Sequence, residues 1–234
     1  MKIETKEQLT SRLEEERTER QNTGTSVTGH KFFDDNGYII IKKLWNPLEL
    51  YRPIPNVRGQ ITYTGKYRDQ YVYKELEEQV DGSLSVYSHP QYKEIHSLIR
   101  REIEDIIGSQ LYDTYYYDRV YFVGQELERH LDRDACEISV TVHIGSNLDE
   151  CWPIALKTVD QDNISVCLEP GDAMVYKGCE RPHWRDPLPS RHKGIMRRFR
   201  KNDDTYYHQA FFHYVLSNGF RCQYAKDLKS YYHE

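Results

Sequence analysis

His130-Leu131-Asp132, followed by Ile138-Ser139-Val140-Thr141-Val142-His143-Ile144, is the stretch from which the architecture can be read. Successive side chains on an extended strand alternate between its faces. His130 and Asp132 therefore share a face and can reach one metal ion. The run from Ile138 to Ile144 alternates aliphatic and polar residues, which marks a strand with two unlike faces. His183 comes 53 residues after His130, behind the turn Pro170-Gly171-Asp172 and the strand-like Ala173-Met174-Val175-Tyr176. Two imidazoles and one carboxylate on one side of a divalent ion leave its other positions open, the facial arrangement suited to non-haem Fe(II).

Outward from this stretch, further short strands are expected at 115–117 and 120–123, and at 152–156, 165–168, 173–176 and 209–215. Many short strands separated by turn residues indicate a sandwich or barrel. With the metal triad they give a mainly β fold, a double-stranded β-helix (jelly roll) with supporting helices packed outside. One such helix is written in Ile95, Leu98, Ile99, Ile103, Ile106 and Ile107, which recur at helical spacing and stop at Gly108, where a missing Cβ suits a C-cap. A strand is expected at 37–42, after an Asp-Asn-Gly turn signal.

Residues 5–20, with Leu9 and Leu13 as their only leucines, suggest a short exposed helix, and 21–29 a linker. The resulting division is an N-terminal segment 1–29 and a single domain 30–234 whose metal-site core is 115–216. Residues 46–90 carry four prolines and read as irregular, with a strand at 61–63. The charged stretch 193–206 reads as an exposed loop or a mobile lid.

The chain has 234 residues and 28.0 kDa, enough for a sizeable core, with 38% hydrophobic and 29% charged residues and no apolar run of membrane-spanning length. A net charge of -5 gives no general nucleic-acid footprint, so nucleic acid is not an expected partner. The opening Met1-Lys2-Ile3-Glu4-Thr5-Lys6 lacks the apolar core of a secretory signal, and a cytoplasmic protein is expected. The five cysteines are widely spaced and form no Cys-x-x-Cys pair, so neither a disulfide framework nor a zinc knuckle follows. Twenty tyrosines suggest amphipathic packing on strands, or an interaction surface.

The segment Tyr121-Phe122-Val123-Gly124-Gln125-Glu126-Leu127-Glu128-Arg129-His130-Leu131-Asp132 resembles the Fe(II)/2-oxoglutarate-dependent dioxygenases, in particular their prolyl-hydroxylase-like and bacteriophage-encoded branches. Pro170-Gly171-Asp172 with Tyr176, Gly178 and His183 is similar to the turn and strand that lead to that family's distal histidine. Gln209-Ala210-Phe211-Phe212-His213-Tyr214-Val215 is similar to a last strand of the same branch. The likeness is loose over 30–216 and specific over 121–215.

The resemblance implies that His130, Asp132 and His183 hold Fe(II), and that 2-oxoglutarate binds the iron through its keto and C1 carboxylate groups. It implies reaction with O2, oxidative decarboxylation to succinate and CO2, and hydroxylation of an unactivated C–H bond. The far carboxylate of 2-oxoglutarate needs a cation, best a guanidinium that grips it with two parallel hydrogen bonds. Arg185 shares the strand face of His183 and is the favoured candidate; Arg191 and Lys193 are the others, and Lys193 matches the spacing of the prolyl-hydroxylase branch. Tyr121 resembles the tyrosine that donates its hydroxyl to the same carboxylate. Asp132 supplies the carboxylate that the family's halogenases lack, which favours hydroxylation. The substrate is a peptidyl residue or a small molecule, with peptidyl substrates ahead.

Two other classes compete. A cupin-like, non-oxidative metal- or small-molecule-binding jelly roll would account for strands and histidines, but would bring more histidines and a glutamate to the metal. A Tyr-rich structural protein would account for composition alone. His143 is expected to be packed or exposed, and His192, His208 and His233 to lie in loops. His213 points to the site or to the surface, and Trp152 and Trp184 wall a pocket or fill the core.

Overall fold

The computed structural model describes residues 25–51, 79–192 and 203–226. Among them the helices are α1 (Thr25–Asn36), α2 (Pro47–Leu50) and α3 (Lys93–Ile107). The strands are β1 (Tyr38–Ile41), β2 (Leu84–Tyr87), β3 (Leu111–Phe122), β4 (Leu127–His130), β5 (Ile138–Ser146), β6 (Ile154–Lys157), β7 (Asn163–Val166), β8 (Ala173–Lys177), β9 (His183–Arg185) and β10 (Tyr206–Leu216). They form a large sheet in the order β1-β8-β5-β10-β3-β2 and a small one in the order β4-β9-β6-β7. Every pairing is antiparallel. The fold is the expected double-stranded β-helix, with α1 and α3 outside the large sheet.

Period-two patterning explains how the layers stack. On β5, Ile138, Val140, Val142 and Ile144 turn outward and join Val175, Phe212 and Tyr214 in a core closed by Phe33 of α1 and by Ile95, Ile99, Ile103 and Ile106 of α3. Each such fully buried side chain contributes about 1.5–3 kcal/mol. Ser139, Thr141 and His143 on the opposite face are also buried, because that face is turned toward the small sheet rather than toward water. The polar half of the alternation thus lines the interior. The helix α3 ends as its sequence indicates: Gly108 takes the left-handed conformation, φ 66°, and its N–H bonds Glu104 O at 2.9 Å.

Several expectations are corrected. The linker expected at 21–29 does not hold over 25–29, where α1 begins at Thr25 and runs through the 29/30 boundary, and 21–24 lie outside the described residues. Burial of Phe33 and a 2.7 Å hydrogen bond from His30 Nε2 to Asp105 O outweigh the weak helix propensity of its Thr and Gly residues. The two strands at 115–117 and 120–123 are one, β3. The intervening Asp118-Arg119 imitates a break but is buried, Asp118 against His208 at 2.5 Å. His208 accordingly lies on β10 and not in a loop.

Within 46–90 the irregular reading missed α2, which is capped by the Asn46 side chain, and β2, whose four residues are all buried and so show no alternation. The helix in 5–20, the strand at 61–63, Lys193, His233 and the 193–202 portion of the loop or lid lie outside the described residues. Among those described, no helix is long and apolar enough to cross a membrane.

The cysteines are corrected too: Cys151 and Cys167 form a disulfide. The β6–β7 hairpin, with Ile154 opposite Val166, brings its two flanks together, a proximity that spacing along the chain does not reveal. Cys136, Cys179 and Cys222 are free. Thiol titration of the denatured, unreduced chain is expected to count three thiols and not five. Cys151→Ser is expected to lower stability in urea by about 3 kcal/mol, the loop-closure value for this separation. A count of five overturns the pairing.

Candidate metal centre

The pairing of β4 with β9 sets His130 opposite His183, and the two rings lie with centroids 4.3 Å apart. The strand β4 ends at His130, so the expectation that His130 and Asp132 share one regular strand holds for the histidine only. Asp132 sits in the link that follows, fixed by a 3.0 Å hydrogen bond from its N–H to Gly178 O. A Cβ at Gly178 would collide with the Asp132 carboxylate, Cys136 O and Ser139 Oγ, so glycine is what leaves room for the carboxylate.

Oδ1 of Asp132 stands 3.4 Å from His130 Nε2 and 3.5 Å from His183 Nε2. The tautomers follow from the neighbours. His130 Nδ1 lies 2.8 Å from Glu128 O and His183 Nδ1 lies 3.0 Å from Arg181 O; a carbonyl only accepts, so both Nδ1 atoms carry the proton. Both neutral rings then turn an Nε2 lone pair toward an anionic oxygen. Three electron-rich atoms converging in this way call for positive charge, and the donor set of two imidazoles and one carboxylate fits a divalent transition metal.

Electrostatics say the same. Burial by itself raises the Asp132 pKa, but the neighbouring His183 and His130 outweigh it and hold the carboxyl well below its usual range. Burial by itself lowers the His183 pKa, but the Asp132 carboxylate outweighs it and the result is raised above 6.5. Gln79 Nε2 donates to His130 Nε2 at 2.9 Å and Gln79 Oε1 accepts from Arg119 at 3.0 Å. A cation at the centre takes that lone pair, so Gln79 has to release it.

The guanidinium of Arg185, two residues beyond His183, is buried. It donates to Trp152 O at 2.5 Å, Gln209 Oε1 at 2.9 Å and Tyr207 Oη at 3.5 Å, and lies 4.5 Å and 4.7 Å from the Trp152 and Tyr207 ring centroids. Among the described residues its Nε has no partner and its other partners are all neutral, so none of them offers this buried cation an anion. Tyr121, also buried, packs edge-on to Trp152 at 5.1 Å, and its hydroxyl accepts from Arg119 at 3.3 Å. Tyr121 and Arg185 are thereby drawn to one aromatic cluster with Trp152 and Tyr207. Arg191 is not: its charge is met by Asp204 at 2.6 Å.

Sequence reasoning missed Tyr207 and Arg119, gave Gln209 no role at Arg185, and did not connect His143 with it. The alternation of β10 was the available signal, since Tyr207 and Gln209 face Tyr121 and Arg119 across the sheet. His143 stacks on Tyr207 at 4.2 Å, and burial pushes its pKa down to about 4, so the ring is neutral. Trp152 is buried, whereas Trp184 is partly exposed beneath Arg129 at 4.7 Å.

No family model and no curated protein matches the chain. Solved structures do match its fold. A prolyl-4-hydroxylase of Pseudomonas putida is 14% identical, with TM-score 0.54, over 80% of this chain and 98% of that one. The non-heme alpha-ketoglutarate-dependent epimerase SnoN from nogalamycin biosynthesis is 10% identical, with TM-score 0.59, over 83% and 84%. HygX from Streptomyces hygroscopicus, with nickel and 2-oxoglutarate bound, is 10% identical, with TM-score 0.53, over 80% and 86%. At such identities these likenesses speak for the fold, the double-stranded β-helix.

Metal uptake at the three residues requires a neutral His183, so its raised pKa makes protons compete. Mn(II) affinity is expected to fall about tenfold per pH unit once His183 is protonated, because one proton is displaced per ion. A pH-independent affinity between pH 5 and 8 counts against the centre. Gly178→Ala is expected to weaken Mn(II) binding by about 10–100-fold with little change in circular dichroism.

Proposed function

We propose that this protein is an Fe(II)- and 2-oxoglutarate-dependent dioxygenase that hydroxylates an unactivated C–H bond of a peptidyl residue or small molecule, releasing succinate and CO2. The observation that carries this reading is the convergence of His130 Nε2, His183 Nε2 and Asp132 Oδ1, with both Nδ1–H groups directed away to backbone carbonyls. On this reading the three side chains hold Fe(II), which when bound supplies open positions for the 2-oxo acid and O2.

The remaining residues position and exclude. Hydrogen bonds from Nδ1 to Glu128 O and Arg181 O keep both imidazoles turned inward. Arg185 meets the far carboxylate of 2-oxoglutarate; its only partners among the described residues are neutral, and an incoming carboxylate would match its charge. Tyr121, which also packs on Trp152, donates its hydroxyl to the same carboxylate. The apolar faces of Trp152 and Tyr207 keep water from this end of the chamber, which strengthens every charged contact inside it. A cupin-like site would bring a glutamate to the metal, whereas the cluster unites two histidines and one aspartate.

Anaerobic addition of Fe(II) and 2-oxoglutarate is expected to produce their weak visible charge-transfer band, and its absence overturns the reading. Asp132→Ala is expected to abolish Fe(II)-dependent conversion of 2-oxoglutarate to succinate while circular dichroism persists. Arg185→Lys, which keeps the charge but loses the planar fork, is expected to raise the Michaelis constant for 2-oxoglutarate by about 10–100-fold. An unchanged constant moves the role to another cation, Lys193 first.

A further inference from the structure

Three strands of the large sheet, β8, β5 and β10, carry a row of buried side chains whose purpose the triad alone does not explain. Tyr176 lies opposite Ser139, and Ser139 opposite His213. All three face the small sheet and are buried. Tyr176 Oη reaches His183 Nε2 at 3.4 Å, Ser139 Oγ reaches Asp132 Oδ2 at 2.6 Å, and His213 Nδ1 reaches Ser139 Oγ at 3.0 Å.

The two oxygens of Asp132 are therefore not equivalent. Oδ1 faces both histidines, and Oδ2 faces the serine. A hydroxyl has one proton, and Asp132 Oδ2, Cys136 O at 3.2 Å and His213 Nδ1 each stand where they could accept it. At 2.6 Å from a carboxylate oxygen, the proton has to lie between Ser139 and Asp132, since two bare oxygens would repel. His213 must then donate to the hydroxyl, with its single proton on Nδ1. Burial pushes the His213 pKa down to about 3, so the ring is neutral and has only that one proton to place. Its Nε2 is buried with no partner among the described residues, and in this tautomer that leaves an unmet acceptor and not an unmet donor. Stacking on Tyr115 at 4.6 Å and the bond from His96 Nε2 to His213 O at 3.1 Å hold the ring in place.

We propose that Ser139 and His213 are positioning residues for the metal centre: His213 directs the Ser139 hydroxyl onto Asp132 Oδ2, so that the carboxylate meets the ion through Oδ1 alone. A one-oxygen carboxylate leaves three adjacent positions beside the two imidazoles, whereas a chelating one would take a further position. The inference rests on the metal reading above.

The rival use of this cluster is a second ion held by Asp132, Cys136 and His213. Burial and the Asp132 carboxylate hold the Cys136 thiol protonated, its pKa well above 9, which makes it a poor ligand.

The test is anaerobic Co(II) titration of the metal-stripped full chain, followed by visible absorption. Ser139→Ala is expected to weaken Co(II) binding by about 10–100-fold and to move the band as Oδ2 is freed. His213→Phe, which keeps a ring on Tyr115 but has no donor, is expected to shift both in the same direction. His213→Asn, whose amide N–H can stand where Nδ1–H stood, is expected to stay within about threefold of the parent. Loss of packing alone would lower the melting temperature of His213→Asn and His213→Phe without separating their Co(II) spectra. If Ser139→Ala fails to fold, the two His213 variants decide. Parent-like affinity and spectrum in both Ser139→Ala and His213→Phe overturn the proposal and leave the metal reading standing. A parent that binds no Co(II) overturns both. Two ions per chain with a thiolate charge-transfer band overturn the proposal in favour of the second ion.

Discussion

Two imidazole lone pairs, each brought within 3.5 Å of one carboxylate oxygen, repel it unless something positive, a proton or a cation, lies among them. The rest of the molecule holds that arrangement in place. Pairing of β4 with β9 fixes the histidines, the Gly178 carbonyl fixes the backbone of Asp132, and the absence of a Cβ at Gly178 leaves space for the carboxylate. In the metal-free chain a proton on His183 can supply that positive charge, since Asp132 raises its pKa, and the apolar layer on the other side of the large sheet is independent of the site. The isoleucines of α3 and the aliphatic half of β5 form a core that needs nothing from the site.

The division of labour between the sheets follows from strand pleating. The small sheet carries His130, His183 and Arg185, and the large sheet supplies the groups that orient them. Because side chains alternate, each central strand of the large sheet serves the core with one set of residues and the interior with the other. This accounts for much of the tyrosine content. Tyr115, Tyr117 and Phe211 stack in the interior while Tyr92, Tyr116 and Tyr214 pack under α3, with hydroxyls bonded where burial would otherwise strand them, as Tyr92 to Leu50 O and Tyr214 to His96 O. For these residues the tyrosines serve packing and orientation, not an exposed surface.

The buried charges show the same economy of placement. Arg185 is desolvated yet held by two aromatic faces and neutral acceptors, an arrangement that tolerates a guanidinium and strengthens its pull on an incoming carboxylate. Arg191, a few residues on, is paired with Asp204 and has no such surplus. Choosing between the two required knowing which acceptors surround each.

The β class, the amphipathic helix ending at Gly108, the alternation of β5 and the candidacy of His130, Asp132, His183 and Arg185 were legible in the sequence, because each rests on local periodicity or on residue chemistry, whereas the candidacy of Tyr121 came from the family resemblance. Tertiary structure alone decided the rest. It turned the polar face of β5 inward, converted the Thr- and Gly-rich segment at 25–29 into helix, joined Cys151 to Cys167, and ran β3 through Asp118 and Arg119. It also placed Ser139 and His213 behind Asp132. Each of these depends on which residues lie opposite one another across strands far apart in the chain, and pairing register is a property of the folded sheet that no local pattern carries.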